Sequence, residues 1–187
     1  MRSSKKLKIA GLAGSLRQGS INRATLQAAV EAQPAEMDIE IVELGDLPLY
    51  NDDIRADGFP PSVNAFREKL RHCDGVLFST PEFNYSVSAA MKNAIDWGSR
   101  MPDPPFSGKP AAMISASAGP LGGVRAQFAL RHICVSLNCF VMNTPQFYIG
   151  NAAKKFDAGL KLADADIRAE LGRFLAAFRD FVLRFQR

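Results

Sequence analysis

Leu7-Lys8-Ile9-Ala10-Gly11-Leu12-Ala13-Gly14-Ser15-Leu16-Arg17-Gln18-Gly19-Ser20-Ile21-Asn22 opens on an apolar run and closes on the polar start of a helix. Residues 7–11 read as a buried strand, and residues 22–31, rich in Ala and Leu, as the helix. Between them, Gly14 and Gly19 permit close backbone turns. Ser15, Ser20 and Asn22 offer short side chains that cap a helix start or hold phosphate oxygens, and Arg17 adds a charged fork. Exposed N–H groups at a helix N-terminus, where the dipole is positive, favour a dianionic phosphate. The loop carries neither G-x-x-x-x-G-K-[ST] nor G-x-G-x-x-G, so it is not a Walker loop or a dinucleotide fingerprint. A tight strand-to-helix turn with a Ser cap and a solvated Arg17 accounts for the same residues.

The alternation continues along the chain. Residues 39–44 read as a second strand. Residues 62–72 read as a helix with Val63, Phe66 and Leu70 on one side and Ser62 as N-cap. Val76-Leu77-Phe78 is an uninterrupted strand core, followed by a helix over 88–100 whose stripe is Val87, Met91, Ala94 and Ile95. Residues 110–116 form a fourth strand, 122–137 a long helix, 140–142 the start of a fifth strand, and 167–185 the closing helix. That last helix keeps a 3.6 period through Ile167, Leu171, Phe174, Phe178, Val182 and Phe185. Strands that do not alternate, separated by helices, mean a parallel sheet covered on both faces. Five strands and five helices predict an α/β, flavodoxin-like doubly wound sheet of order 2-1-3-4-5, with residues 1–187 as one domain. Two stretches fit no element. Residues 47–61 are a long connection with three prolines, and residues 101–109 a stiff spacer.

Composition narrows the function classes. The 187 residues suffice to remove about 70% of the unfolded chain's surface from water without staples. Lys and Arg exceed Asp and Glu by 23 − 19 = 4 along the chain, which helps attract anions but is no nucleic-acid footprint. Cys73, Cys134 and Cys139 have no C-x-x-C spacing and read as buried free thiols of a reducing compartment. His72 and His132 do not complete a zinc site and read as structural. No apolar run reaches the length of a membrane span. The basic start Met1-Arg2-Ser3-Ser4-Lys5-Lys6 leads into a folded pattern, not a signal sequence, so the expected location is the cytoplasm.

Ligands on such sheets bind beyond the carboxyl ends of the strands, after strands one, three and four. After strand three stands Ser79-Thr80-Pro81-Glu82-Phe83-Asn84-Tyr85-Ser86, a Pro-led loop whose aromatics and main chain suit a flat polar ring. Together with Gly14-Ser15-Leu16-Arg17 and Lys92-Asn93-Ala94-Ile95-Asp96-Trp97, it resembles the NAD(P)H-dependent FMN reductase family, which includes soluble quinone and chromate reductases. The resemblance spans essentially the whole chain.

It implies that FMN phosphate binds at Ser15, Arg17, Ser20, Ile21 and Asn22. The isoalloxazine would lie along Pro81, Glu82, Phe83, Asn84, Tyr85 and Ser86, largely through main-chain contacts, with Ser115, Ser117 and Gly119 on the other rim. Family members often carry Tyr at position 83 and Pro-Gly at 88–89. Phe83 lacks that hydroxyl, while Ser88 still caps its helix. Asp96 and Trp97 read as structural or interface residues. Tyr85 is a substrate-side candidate, and Arg100 either attracts an anion or complements its helix C-terminus.

The implied reaction is ping-pong hydride transfer from NAD(P)H to bound FMN, then two-electron reduction of quinones, azo compounds, chromate or free flavin. No acid or base is singled out, because FMN carries the difficult chemistry. The alternatives are a flavodoxin-type electron carrier that does not oxidise NAD(P)H, and a flavin-free module of the same fold. The helix over 122–137 has one apolar stripe at Leu130, Ile133, Cys134 and Leu137 and a second at Val124, Phe128 and Val135. The resemblance implies a homodimer, with tetramers in some members. The 47–61 connection either reaches the neighbouring site or is merely mobile.

Overall fold

Leu7 to Ala13 form β1, two residues longer than the sequence suggests, because the apolar run continues through Leu12 and Ala13 to the edge of the sheet. The structure, a computed structural model, describes residues 6–186; the basic start over residues 1–5 lies outside them. The chain continues through α1 (Ile21–Ala32), β2 (Met37–Val42), α2 (Asp52–Ala56), α3 (Pro61–His72), β3 (Gly75–Ser79), α4 (Ala89–Gly98) and β4 (Pro110–Ala116). It closes with α5 (Val124–Ser136), β5 (Phe140–Val141), β6 (Phe147–Ile149) and α6 (Ala165–Leu183). Every pairing is parallel and the order is β2-β1-β3-β4-β5, the doubly wound flavodoxin-like arrangement that the alternation predicts.

Helices cover both faces. α1 and α6 pack one core around Leu26, Ile39, Ile114, Phe147, Phe174 and Phe178. α3, α4 and α5 pack the other around Val63, Leu70, Phe78, Ile95, Trp97 and Leu130. β3 and β4 lie between the two layers with every residue buried, which is why neither alternates.

Four local readings are corrected. β2 sits two residues earlier than expected, since its register is set by pairing Leu7 with Met37 through Leu12 with Val42. Ser62 does not cap α3: Pro61 occupies the first turn, where a missing N–H costs nothing, and Pro60 precedes it. The fifth strand is split. β5 pairs the start of β4 and β6 its end, separated by a stretch containing Pro145, which has no N–H for the ladder. The 47–61 connection holds α2, whose first turn is capped by Asn51 accepting from the Asp53 N–H at 2.9 Å.

α5 starts at Val124 because Gly123 stands at φ +87°, and a Cβ there would meet the Ser115 Cβ at 2.9 Å. The helical stripe of α6 is buried at Leu171, Phe174, Phe178 and Val182. Phe185 lies beyond its end and stacks on Phe140 at 4.9 Å between ring centroids. No helix among the described residues is long and apolar enough to cross a membrane.

Candidate functional site

Three loops meet at the carboxyl edge of β1, β3 and β4, and Gly14 is where the first two touch. Its N–H donates to Ser79 O at 2.8 Å, and the Ser88 hydroxyl donates to its carbonyl. A Cβ at Gly14 would stand 3.0 Å from Pro81 Cδ and 3.1 Å from Ser88 Oγ, so only glycine lets the loops approach this closely. Ser88 also caps α4, accepting from the Met91 N–H at 3.2 Å.

Beyond Gly14 the chain turns into α1. Ser20, buried, caps the helix by accepting from the Arg23 N–H at 3.1 Å. Apart from Ser20, whose N–H closes the turn over residues 18–19, the main-chain N–H groups of residues 15–22 have no acceptor among the described residues. Arg17 is exposed and folds over this row, donating from Nη2 to Gly19 O at 2.9 Å. Ser15 and Ile21 are half-buried beside it. A cavity of about 360 Å³ opens here, lined by Ser15, Leu16, Arg17, Gln18 and the Arg23–Glu43 ion pair. The hydrogen bond from Arg23 holds the Glu43 carboxyl below the ordinary glutamate range.

Asn22 has a different position from the one expected. It is buried, and its amide clasps the end of β4: Nδ2 donates to Ala116 O at 2.9 Å, and Oδ1 accepts from the Ala116 N–H at 3.0 Å. Its main-chain carbonyl accepts from the Ser79 hydroxyl at 2.7 Å.

The loop after β3 is a two-residue hairpin. The Phe83 N–H donates to Ser86 O at 3.0 Å and the Ser86 N–H to Phe83 O at 2.9 Å. Asn84 at φ 50° and Tyr85 at φ 64° both occupy the left-handed region, the type I′ geometry that usually takes glycine second. A tyrosine there carries roughly 1–3 kcal/mol of strain, which the surrounding contacts must hold. Those contacts exist. The Arg125 guanidinium carbon lies 4.2 Å from the Tyr85 ring centroid, and Arg125 pairs with Glu82 at 3.2 Å.

Pro81 is buried under the hairpin, while Phe83 and Tyr85 are 55% and 69% exposed. The Glu82 carboxylate turns away from the hairpin to accept the Arg125 and Ala126 N–H groups at 3.0 and 3.4 Å. It therefore caps α5, whose own N-cap, Gly123, has no side chain to do so.

On the third loop, Ser115 is inside β4 and fully buried. Its hydroxyl donates to Gly122 O at 2.6 Å and accepts from Gln127 Nε2 at 2.9 Å, so it supports the rim from below and does not line it. Ser117 and Gly119 form the rim itself. The Ser117 N–H donates to Ile149 O at 3.0 Å and its hydroxyl to Gly119 O at 3.1 Å.

Arg100 is not brought to this edge. The ten residues of α4 carry the chain about 15 Å away from Ser88. There Arg100 donates to Asp96 O at 2.9 Å and stacks over Tyr50, complementing the helix C-terminus. Asn93 and Trp97 anchor the 47–50 stretch. The Tyr50 N–H donates to Asn93 Oδ1 at 2.8 Å, and Trp97 Nε1 to Pro48 O at 2.7 Å. His72 and His132 are exposed on α3 and α5. Sequence reading missed Arg125, Gln127 and the Gly14–Ser88 clasp. Only the Gly122-Gly123 pair ahead of Arg125 hinted that α5 begins against a loop.

Comparison with known proteins shows the family and the fold. Residues 7–154 match the family model described as NADPH-dependent FMN reductase. The chain is 47% identical over 180 residues to an NAD(P)H-dependent FMN reductase of Pseudomonas aeruginosa, covering 96% of this chain and 97% of that protein. It is 41% identical over 184 residues to a quinone reductase of Escherichia coli, covering 97% and 98%. Among solved structures it is similar to FerB, a flavoenzyme NAD(P)H:(acceptor) oxidoreductase of Paracoccus denitrificans. That match has a TM-score of 0.88 and 33% identity over 96% of this chain and 98% of the other.

Proposed function

The chain belongs to the NADPH-dependent FMN reductase family, and from that premise we propose that it is an NAD(P)H-dependent flavin oxidoreductase that reduces quinones. The observation that carries the reading is the row of N–H groups over residues 15–22, lying at the N-terminus of α1 and beside the exposed 83–86 hairpin. The residues present fit FMN. Its phosphate would be held by those N–H groups with Arg17 and Ser15, its ring by the main chain of residues 81–86 and the Ser117–Gly119 rim. Bound there, FMN supplies hydride acceptance and two-electron delivery.

The protein's part is position and charge. The helix dipole and Arg17 attract the dianion, and Ser20 and Ser88 hold the two helix starts in place. Glu82, capping α5, fixes the hairpin through Arg125 and Tyr85. Phe83 and Tyr85 leave an exposed side beside the hairpin, and the sequence carries no dinucleotide fingerprint that would seat a nicotinamide nucleotide elsewhere. Reductant and oxidant taking turns on that side would give ping-pong turnover.

Quinones are the proposed oxidants because several relatives bear that name. Azo compounds, chromate and free flavin belong in the same acceptor panel. Assembly is part of the proposal. On α5, Phe128 and Val135 are 58% and 77% exposed while Leu130 and Cys134 are buried, a two-sided apolar helix that suits a second copy and a homodimer or homotetramer. Three unpaired thiols suit the cytoplasm.

The test is anaerobic stopped-flow on the FMN-loaded protein with NADH and NADPH separately. Bleaching of the flavin absorbance within seconds, restored by a quinone, is expected. FMN that binds but is not bleached by either nucleotide identifies an electron carrier and refutes the proposal.

A further inference from the structure

We propose that Cys134 and Cys139 form a redox site in which a hydroperoxide oxidises Cys139 and Cys134 resolves it as an intramolecular disulfide. Five residues apart in sequence, the two are joined by the way α5 ends. The Cys139 N–H donates to Cys134 O at 3.0 Å and the Asn138 N–H to Val135 O at 3.2 Å, with Asn138 left-handed at φ 55°. That pair of bonds is the Schellman motif, whose geometry brings the side chain just past the left-handed residue onto the third-last helical one. An apolar contact frequently joins those two positions of the motif, and here both are cysteines.

They differ in the way a reactive pair must. Cys134 is fully buried against Leu130 and Ile133, whereas Cys139 is partly exposed at the mouth of β5. The Cys139 thiol donates to Phe106 O at 3.3 Å. The neighbouring Cys134 thiol lowers the proton affinity of Cys139 and Cys139 raises that of Cys134, which burial raises further. Thiolate character and access decide which cysteine reacts first, so the assignment falls on Cys139. Cys73 provides the contrast: buried, bonded to Leu70 O at 3.1 Å, pushed up by desolvation, and paired with no other thiol among the described residues.

The chemistry balances. The Cys139 sulfur attacks the peroxide, the O–O bond breaks, and water or an alcohol leaves, so sulfur is oxidised to the sulfenic acid. The Cys134 sulfur then attacks Cys139, the S–S bond forms, the S–O bond breaks, and the hydroxyl leaves as water with the Cys134 proton. Two thiols and one hydroperoxide give one disulfide, one water from the second step, and one water or alcohol from the first. The site closes the end of α5, about 20 Å from the Glu82 cap at its start, so it stands independently of the flavin reading.

The test uses reduced full-length protein, equimolar hydrogen peroxide, alkylation in denaturant and mass spectrometry of peptides. The wild type should lose two hydrogens and two alkylation sites, both in the 134–139 peptide, with Cys73 still alkylated and dithiothreitol restoring all three. Cys134→Ser should carry sulfenic or sulfinic oxygen on Cys139 and no disulfide. Cys139→Ser should leave Cys134 alkylatable at the same dose. Three thiols alkylated after treatment, a disulfide through Cys73 or between chains, or an unchanged outcome in Cys139→Ser would overturn the proposal.

Discussion

Replacing Asn22 with Ala separates the residue's position in the fold from the phosphate role that its place in the loop suggests. The substitution removes both bonds to Ala116, at 2.9 and 3.0 Å, and leaves that residue's N–H and carbonyl without partners in a strand end that is 2% exposed. Each buried group orphaned costs about 1–3 kcal/mol. Against this, Ala in a helix is better than Asn by roughly half a kcal/mol, and α1 gains that amount. The net loss is therefore about 3 kcal/mol, a large share of the roughly 5–15 kcal/mol that holds such a domain folded.

For a chain of this length, that loss lowers the melting temperature by about 6–12 °C. Denaturant titration of the FMN-free protein should give a lower midpoint at unchanged slope. A loss under about 0.5 kcal/mol, the range of an ordinary surface change, would refute the buried clasp. FMN affinity, measured in the cold where the variant is folded, should fall less for Asn22→Ala than for Arg17→Ala. The reverse order would return Asn22 to the phosphate.

Arg17→Ala should weaken FMN binding by about 10–100-fold, since a charge-assisted hydrogen bond contributes roughly 1.5–3 kcal/mol; a titration showing equal affinity counts against the phosphate loop. Glu82→Gln keeps one acceptor for the α5 N–H groups but loses the pairing with Arg125. Substrate-side kinetics should change more than stability, which should fall by about 1 kcal/mol, and an identical KM for nucleotide and quinone would reject a role for the hairpin. Phe128→Asp should drive the sedimentation profile toward monomer, and an unshifted profile would reject α5 as the interface; Val124, half-buried at the first turn, is the poorer probe. The Glu43 carboxyl titrates lower in the folded chain than in the unfolded one, so the Arg23–Glu43 pair stabilises fully above the ordinary glutamate range and progressively less as pH falls through it. Glu43→Gln should flatten that acidic slope, and a slope unchanged in urea titrations would place the acid sensitivity elsewhere.

The sequence by itself determined the architecture, because parallel strands buried on both faces leave long apolar runs that no other arrangement would bury. It also determined where the ligand loops lie, since the order of strands dictates the edge at which they emerge, and it marked the cap at Ser88 and offered Ser20 among three capping candidates for the first helix. Which polar side chains face that edge was decided by tertiary structure alone. Asn22 and Ser115 read as ligands on their loops, yet each meets a partner distant in sequence, Ala116 for one and Gln127 for the other, and turns inward. Glu82 likewise answers a deficit at Gly123 that only becomes visible once α5 is placed against the hairpin. A side chain's local chemistry is written in its residue type, but the donor or acceptor it satisfies is supplied by whatever the fold brings within 3 Å, and buried polar groups rarely go without one.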